Sequence, residues 1–237
     1  MRIDIRHRVR LVRAALLIMA IGVLTGCTAA DAAQSDAPAI APAAAEADGA
    51  TTAPAAGAAE PTLDEVRAAT ARFQDVDVAL AEGYVREPMN LCDTAEMMGR
   101  PAEDGVMGIH FVRPDLLGIT APPNPRVNGT GTHTDFLQPS VLIYEPQADG
   151  SLELVAVENL VFIEAWKAAG NQAPPTFQGR SYDLMVDDPA TVLDEAHRFE
   201  PHYDLHVWLY RENPRGMFAQ FNPNATCAYH AGATHQH

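Results

Sequence analysis

The chain has 237 residues, with 16 basic and 31 acidic side chains, nine histidines, three cysteines and a formal net charge of −15. That length suits one domain with tails, and so acidic a surface argues against a nucleic-acid partner, because a phosphate backbone repels it. No run reaches 18 uninterrupted apolar residues, so the sequence carries no ordinary membrane-spanning helix.

Arg2, Arg6, Arg8, Arg10 and Arg13 give the start a positive charge, and an apolar run from Ala14 to Leu24 follows. This is the length of a signal-peptide core. It ends in Leu24-Thr25-Gly26-Cys27, the form of a bacterial lipobox, in which small residues admit the signal peptidase and the cysteine thiol takes a diacylglyceryl group. Residues 1–26 therefore read as a lipoprotein signal peptide and Cys27 as the lipidated first residue of the mature chain. Cleavage removes five arginines and one aspartate, leaving 11 basic and 30 acidic side chains, a net charge of −19. Anionic lipid would not hold such a chain by charge, but two or three acyl chains, palmitate among them, suffice as an anchor. Thr28 lacks the aspartate that commonly retains lipoproteins in the inner membrane. The expected location is the cell envelope, on the periplasmic face of the outer membrane or on the outer surface.

Residues 27–61 read as the lipidated cysteine and a disordered tether: alanine-rich, broken by Pro38, Pro42 and Pro54, with no aromatic residue and nothing to bury. A globular domain is expected over residues 62–228, followed by a histidine-containing tail over 229–237. Thr62-Leu63-Asp64-Glu65 fits a capping box. Val66, Phe73 and Leu80 recur at heptad spacing, with Leu63, Val76 and Tyr84 on the same stripe, which predicts one amphipathic helix of about twenty residues ending near Gly83. Strands are predicted over 106–112, 140–144, 152–163, 182–186 and 203–210, the second and third joined by a hairpin loop containing Asp149-Gly150. Asp188-Pro189 predicts a capped short helix to about residue 197. The fold class is α+β: an N-terminal amphipathic helix packed on a mainly antiparallel sheet in a single domain, with helices on one face.

With Cys27 lipidated, Cys92 and Cys227 remain, and in an exported protein two remaining cysteines are expected to pair. Neither lies in a CxxC spacing. Gly83-Tyr84-Val85, Met107-Gly108-Ile109-His110-Phe111, Tyr144-Glu145-Pro146 and Leu154-Val155-Ala156-Val157-Glu158 are followed by Tyr203-Asp204-Leu205-His206-Val207-Trp208-Leu209. Asn213-Pro214-Arg215-Gly216-Met217-Phe218, Phe221-Asn222-Pro223 and Cys227 complete the set. In these motifs the chain resembles a group of bacterial exported and lipid-anchored proteins. The resemblance spans the whole domain and implies a shared fold and export; it carries no activity. Asn159 stands where an aromatic residue is more usual in that group.

Residues two apart on a strand face the same way. His202, Asp204, His206, Trp208 and Tyr210 then share one face, and Tyr203, Leu205, Val207 and Leu209 share the core face. His110 lies with Val106, Gly108 and Val112. Glu158 lies with Leu152, Leu154, Ala156, Leu160 and Phe162, an otherwise apolar face on which a carboxylate needs a cation, a metal or a hydrogen-bond donor. His110, Glu158 and His206 are thus candidate ligands of a divalent metal such as zinc or copper, or members of a buried hydrogen-bond network. His202 and Asp204 are secondary candidates; along one strand, ligands two apart are separated by about 6.5–7 Å, and a solvent-facing polar stripe is the competing expectation for them. His230, His235 and His237 could bind metal weakly from a frayed tail. Met97, Met98 and Met107 read as core filler rather than copper ligands. Ser140 and Ser181 lie in no GxSxG elbow, so no hydrolase nucleophile is visible.

Two classes of function follow. The first is a non-enzymatic binding or interaction module of the envelope, with an envelope protein or a small ligand as partner besides the membrane. The second is a metal-dependent enzyme or metal-binding protein using His110, His206 and Glu158.

Overall fold

Thr62 opens the first helix by accepting the Glu65 N–H on its hydroxyl, while the Glu65 carboxylate accepts the Thr62 N–H at 2.7 Å. This closes two of the donors that a helix start leaves bare. The computed structural model describes residues 59–231. The expected signal peptide, Cys27, the expected tether up to residue 58, His235 and His237 lie outside the described residues. Where the heptad spacing predicts one helix over 62–83, the chain forms α1 (Leu63–Thr70), a 3-10 turn (Ala71–Gln74) and α2 (Val76–Ala81). Asp75 makes the break. Its backbone is extended and its carboxylate accepts the Asp77 N–H at 3.0 Å, an N-cap that restarts the helix rather than continuing it.

Short strands β1 (Val85–Arg86) and β2 (Asp93–Thr94) follow, then β3 (Val106–Val112) and α3 (Pro114–Leu117). Next come β4 (Val141–Pro146), β5 (Leu152–Phe162), α4 (Ile163–Ala168), β6 (Thr176–Phe177), β7 (Arg180–Ser181), β8 (Asp183–Met185) and β9 (His202–Val207). The main sheet runs β1-β3-β4-β5-β9-β8, with β2 on the same edge of β3 as β1; β6 and β7 form a separate ribbon. Every strand pairing is antiparallel. The domain is a mixture of helices and antiparallel sheet, and the described residues lie in one compact unit.

Both faces of the sheet are buried. One contributes Ile109, Phe111, Leu142, Tyr144, Leu154, Val157, Leu205 and Val207 to a cluster with Val66, Phe73 and Ala79 from the first helical segments. The Tyr144 hydroxyl donates to the Phe73 carbonyl at 2.6 Å. The other face contributes Val112, Val141, Ile143, Ala156, Leu160, Phe162 and Trp208, with Leu117 of α3 and Ala165 of α4 against it. Helices therefore touch both faces, not one.

A bulge sets which residues of β5 face which way. Tyr144 pairs with Leu154 but Ile143 pairs with Ala156, so Val155 is the extra residue. Simple alternation places Leu152 and Leu154 on the Glu158 face; the bulge moves Leu154 into the opposite cluster and leaves Ala156, Leu160 and Phe162 beside Glu158. The strand expected over 203–210 ends at Val207, and Tyr210 turns to the other face, where its hydroxyl meets Thr70 and donates to the Arg67 carbonyl. No helix forms over 188–197. Asp188 accepts the Ala190 N–H on its side chain and spends its capping capacity on a local turn, and turns continue to an isolated bridge between Val127 and Phe199.

Cys92 and Cys227 are joined, with Cα atoms 5.7 Å apart and a sequence separation of 135. Chain-entropy arithmetic for such a loop gives on the order of 4–5 kcal/mol as an upper figure. Reduction should lower the melting temperature by up to roughly 10–20 °C, read by thermal denaturation with and without reductant; an unchanged melt would show that the bridge contributes nothing to the folded state. A second clip joins the start of β4 to β5. The Ser140 N–H donates to Asn159 Oδ1 at 2.8 Å, and the Leu160 N–H donates to Ser140 Oγ at 3.1 Å, all of it buried. Ser140→Ala strands the Leu160 N–H and should cost about 1–3 kcal/mol, measured as the free energy of unfolding in denaturant.

Candidate metal centre

The stripe His202-Asp204-His206 is not in solvent. The three residues are buried, as are His110, Glu158 and His197. They gather on the sheet face that carries Ile143, Ala156 and Leu160. Register explains how. Glu158 pairs directly with His206 across β5 and β9, and Leu160 pairs with Asp204. His110 pairs with Ile143 on β4, one strand away from Glu158, so its imidazole and the carboxylate reach across β4 toward each other.

His110 Nε2 lies 3.5 Å and His206 Nε2 lies 3.4 Å from the same oxygen, Glu158 Oε2. Among the described residues, none of these three atoms has a hydrogen-bond partner. The far nitrogen of His110 is anchored: Nδ1 lies 3.0 Å from Asp93 Oδ2. The anchor fixes the ring and aims Nε2 inward, as a carboxylate behind a metal-ligating histidine does.

Asp204 repeats the arrangement. His202 Nε2 lies 3.8 Å and His197 Nε2 3.9 Å from Asp204 Oδ2, and His202 Nδ1 is held at 2.9 Å by the Glu200 carbonyl. His197 comes from the turn-rich segment above the sheet, not from a strand. Its φ is 36° and that of Arg198 is 75°, two consecutive left-handed residues without glycine, each costing about 1 kcal/mol or more. The turn is tied down from several sides. Arg126 pairs with Asp187 and Asp194 and donates to the Phe199 carbonyl, while the Arg198 N–H donates to Asp194. His197 stacks on His110 with ring centroids 5.5 Å apart and meets His202 edge-on at 5.2 Å.

Burial dominates the electrostatics. It pushes the His197 pKa down to about 4 and holds His202 and His206 well below the usual imidazole range, with neighbouring histidines adding to the last two shifts. These rings are therefore neutral at neutral pH, the form in which an imidazole ligates metal. Burial also raises Glu158 and pushes Asp204 well above the carboxylate range, where the nearby Glu158 charge adds to it. His110 is the exception. Burial works against its cation, but the Asp93 hydrogen bond and the charges of Glu158, Asp93 and Glu87 outweigh it and hold the pKa at about 9. Among the described residues, the ion-pair contacts of Glu158 are His110 and His206, and those of Asp204 are His197 and His202.

The other candidates fall outside this cluster. Met98 and Met107 pack with Ala95, Met185 and Phe221 as core. His230 is not frayed: its Nε2 bonds the Asn90 carbonyl at 2.7 Å. Strand parity does not bring in His197 and Asp93, because the one lies on a turn and the other on a two-residue strand. Comparison with protein-family models, curated proteins and solved structures gives no match for the chain.

A carbonyl oxygen can only accept, so the ring position facing Glu200 must carry the proton. Metal-free protein at neutral pH should show His202 as the Nδ1–H tautomer in long-range ¹H–¹⁵N spectra, with Nε2 bearing the lone pair. The opposite tautomer would mean that Nε2 carries the proton, faces Asp204 as a donor and offers no lone pair to a metal.

Proposed function

We propose that this chain is a lipid-anchored binding protein of the cell envelope whose domain holds a divalent transition metal at His110, Glu158 and His206. One observation carries the metal reading: a fully buried carboxylate oxygen with two imidazole nitrogens at 3.4 and 3.5 Å. Charge-assisted hydrogen bonds close to about 2.7–2.9 Å. Two ligands at about 2.0–2.1 Å from a tetrahedral zinc stand about 3.3 Å apart, and the two nitrogen–oxygen separations, 3.4 and 3.5 Å, lie closer to that value than to a hydrogen bond. Two nitrogens and one oxygen suit zinc, with copper(II) a strong competitor for the same donors. The ligands are almost wholly enclosed, which favours holding an ion over turning over a substrate, since a catalytic metal needs an open coordination position. The anchor rests on Leu24-Thr25-Gly26-Cys27.

Zinc at about a hundredfold over its dissociation constant should stabilise the domain by about 2.7 kcal/mol, a rise of roughly 5–10 °C in melting temperature for a domain of this size. A chelator should reverse the rise, and His110→Ala or His206→Ala should abolish it. A melt insensitive to zinc, copper and chelator alike would sink the metal reading. Cys27→Ala should leave an unlipidated precursor, seen as lost palmitate labelling and a mobility shift; labelling that survives the substitution would remove the lipoprotein reading and leave the metal reading intact.

A further inference from the structure

We infer that the same sheet face holds a second, separate metal site, formed by His197, His202 and Asp204. It adds to the site proposed at His110, Glu158 and His206 and does not depend on which ion that site selects. Three observations carry it. The first is the donor set: one ligand atom from each of His197, His202 and Asp204 lies within 4.8 Å of the others. The second is that these atoms are aimed inward and unused. Both oxygens of Asp204, both ring nitrogens of His197 and His202 Nε2 are buried without a hydrogen-bond partner among the described residues. The third is the anchor on His202, whose Nδ1 is engaged by the Glu200 carbonyl and whose Nε2 is thereby turned toward Asp204. A backbone carbonyl behind a ligating imidazole plays the part that Asp93 plays behind His110.

The two triads do not merge into one. Glu158 and Asp204 each face their own pair of imidazoles, so each carboxylate serves one ion and neither bridges. His206 and Asp204 are two apart on β9, which spaces the triads by about one strand repeat, ~6.5–7 Å. Asp93, His110 and His197 also lie close together, but the 3.0 Å contact between Asp93 and His110 Nδ1 is a hydrogen bond with the proton in place, so that grouping orients a ligand rather than supplying a third site. The separations of 3.8 and 3.9 Å around Asp204 exceed the about 3.3 Å between ligands of tetrahedral zinc. His202 is paired on both sides, with Phe162 and Met185, whereas His197 sits on a turn, so the closure of about half an ångström falls on His197.

The test counts zinc per chain in untagged, full-length protein, solubilised in detergent and equilibrated with zinc against a chelator of micromolar affinity that strips weak sites. Two equivalents are expected in the wild type. One is expected in His197→Ala, in His202→Ala and in the near-isosteric Asp204→Asn, with the far-UV spectrum unchanged, and one also in Glu158→Gln. A wild type with a single equivalent that persists in all three second-triad variants overturns this inference and leaves the first site standing. A second equivalent that survives those variants overturns it too, because the ion then sits elsewhere, the C-terminal histidines being the obvious place. A wild type that retains no zinc overturns both sites and leaves the face a buried polar network. If a variant fails to fold, a wild-type count below two still overturns the inference, and the near-isosteric Asp204→Asn places the second ion.

Discussion

Glu158 lies at the centre of β5, with neighbouring strands on both sides and no exposed surface. Taking a carboxylate out of water costs several kcal/mol unless something charged or hydrogen-bonding replaces the water, and the side chains around it are arranged in answer to that cost. His206 stands directly opposite on β9 and His110 reaches over β4 from the far side. Asp204 poses the same problem two residues along β9, and it is answered by His202 from the same strand and His197 from above. The face is consistent only when these six side chains are read together, because removing one imidazole leaves a buried carboxylate with half its surroundings.

That demand shapes the backbone around the face. An antiparallel sheet with water on one side would have let His202, Asp204 and His206 point outward at little cost. Here the face is roofed, and the roof carries its own strain in the paired left-handed residues His197 and Arg198. Arg126, Asp187 and Asp194 hold that turn closed through ion pairs and backbone contacts. Such strain persists where surrounding contacts over-determine it and places a side chain that a relaxed turn would not. The turn aims His197 at Asp204, a geometry difficult to explain by packing alone, since a leucine or phenylalanine would fill the same space without unpaired nitrogens.

The sequence made much of this legible because alternation along a strand is strict. His110, Glu158 and His206 each stand out as polar residues within apolar strands, and period two assigns them faces without knowledge of strand order. Three things lay beyond its reach. The bulge at Val155 reverses parity for the first part of β5, and no residue type there announces it. Polar residues at alternate positions read as a wetted stripe, because hydropathy is the same for a histidine facing water and one facing a carboxylate; only the roof distinguishes them. His197 belongs to a turn, where no period applies, and the acids and proline before it suggest a capped helix that Asp188 instead spends on a local turn. The first helix shows the same limit from the other side. Its heptad stripe is real, yet one competing side-chain cap at Asp75 is enough to split it.

The disulfide links this face to the compartment in which the chain is expected to reside. Cys92 immediately precedes Asp93, the first residue of β2, and β2 is only two residues long. So short a strand on the edge of a sheet has little pairing energy of its own. The bridge to Cys227 fastens it to a segment that is itself held by the Thr226 N–H donating to Glu145 at 2.8 Å, with Arg211 pairing to that same carboxylate. Asp93 in turn fixes the His110 ring by its Nδ1, and the direction of Nε2 toward Glu158 follows. Orientation therefore passes from the bridge to Asp93, from Asp93 to His110 and from His110 to the buried carboxylate. Without the bridge the edge strand could fray, and His110 would lose the partner that aims it before the sheet itself came apart. Wiring of this kind depends on an oxidised cysteine pair, and disulfides persist in oxidising compartments, which agrees with the proposed export of the chain.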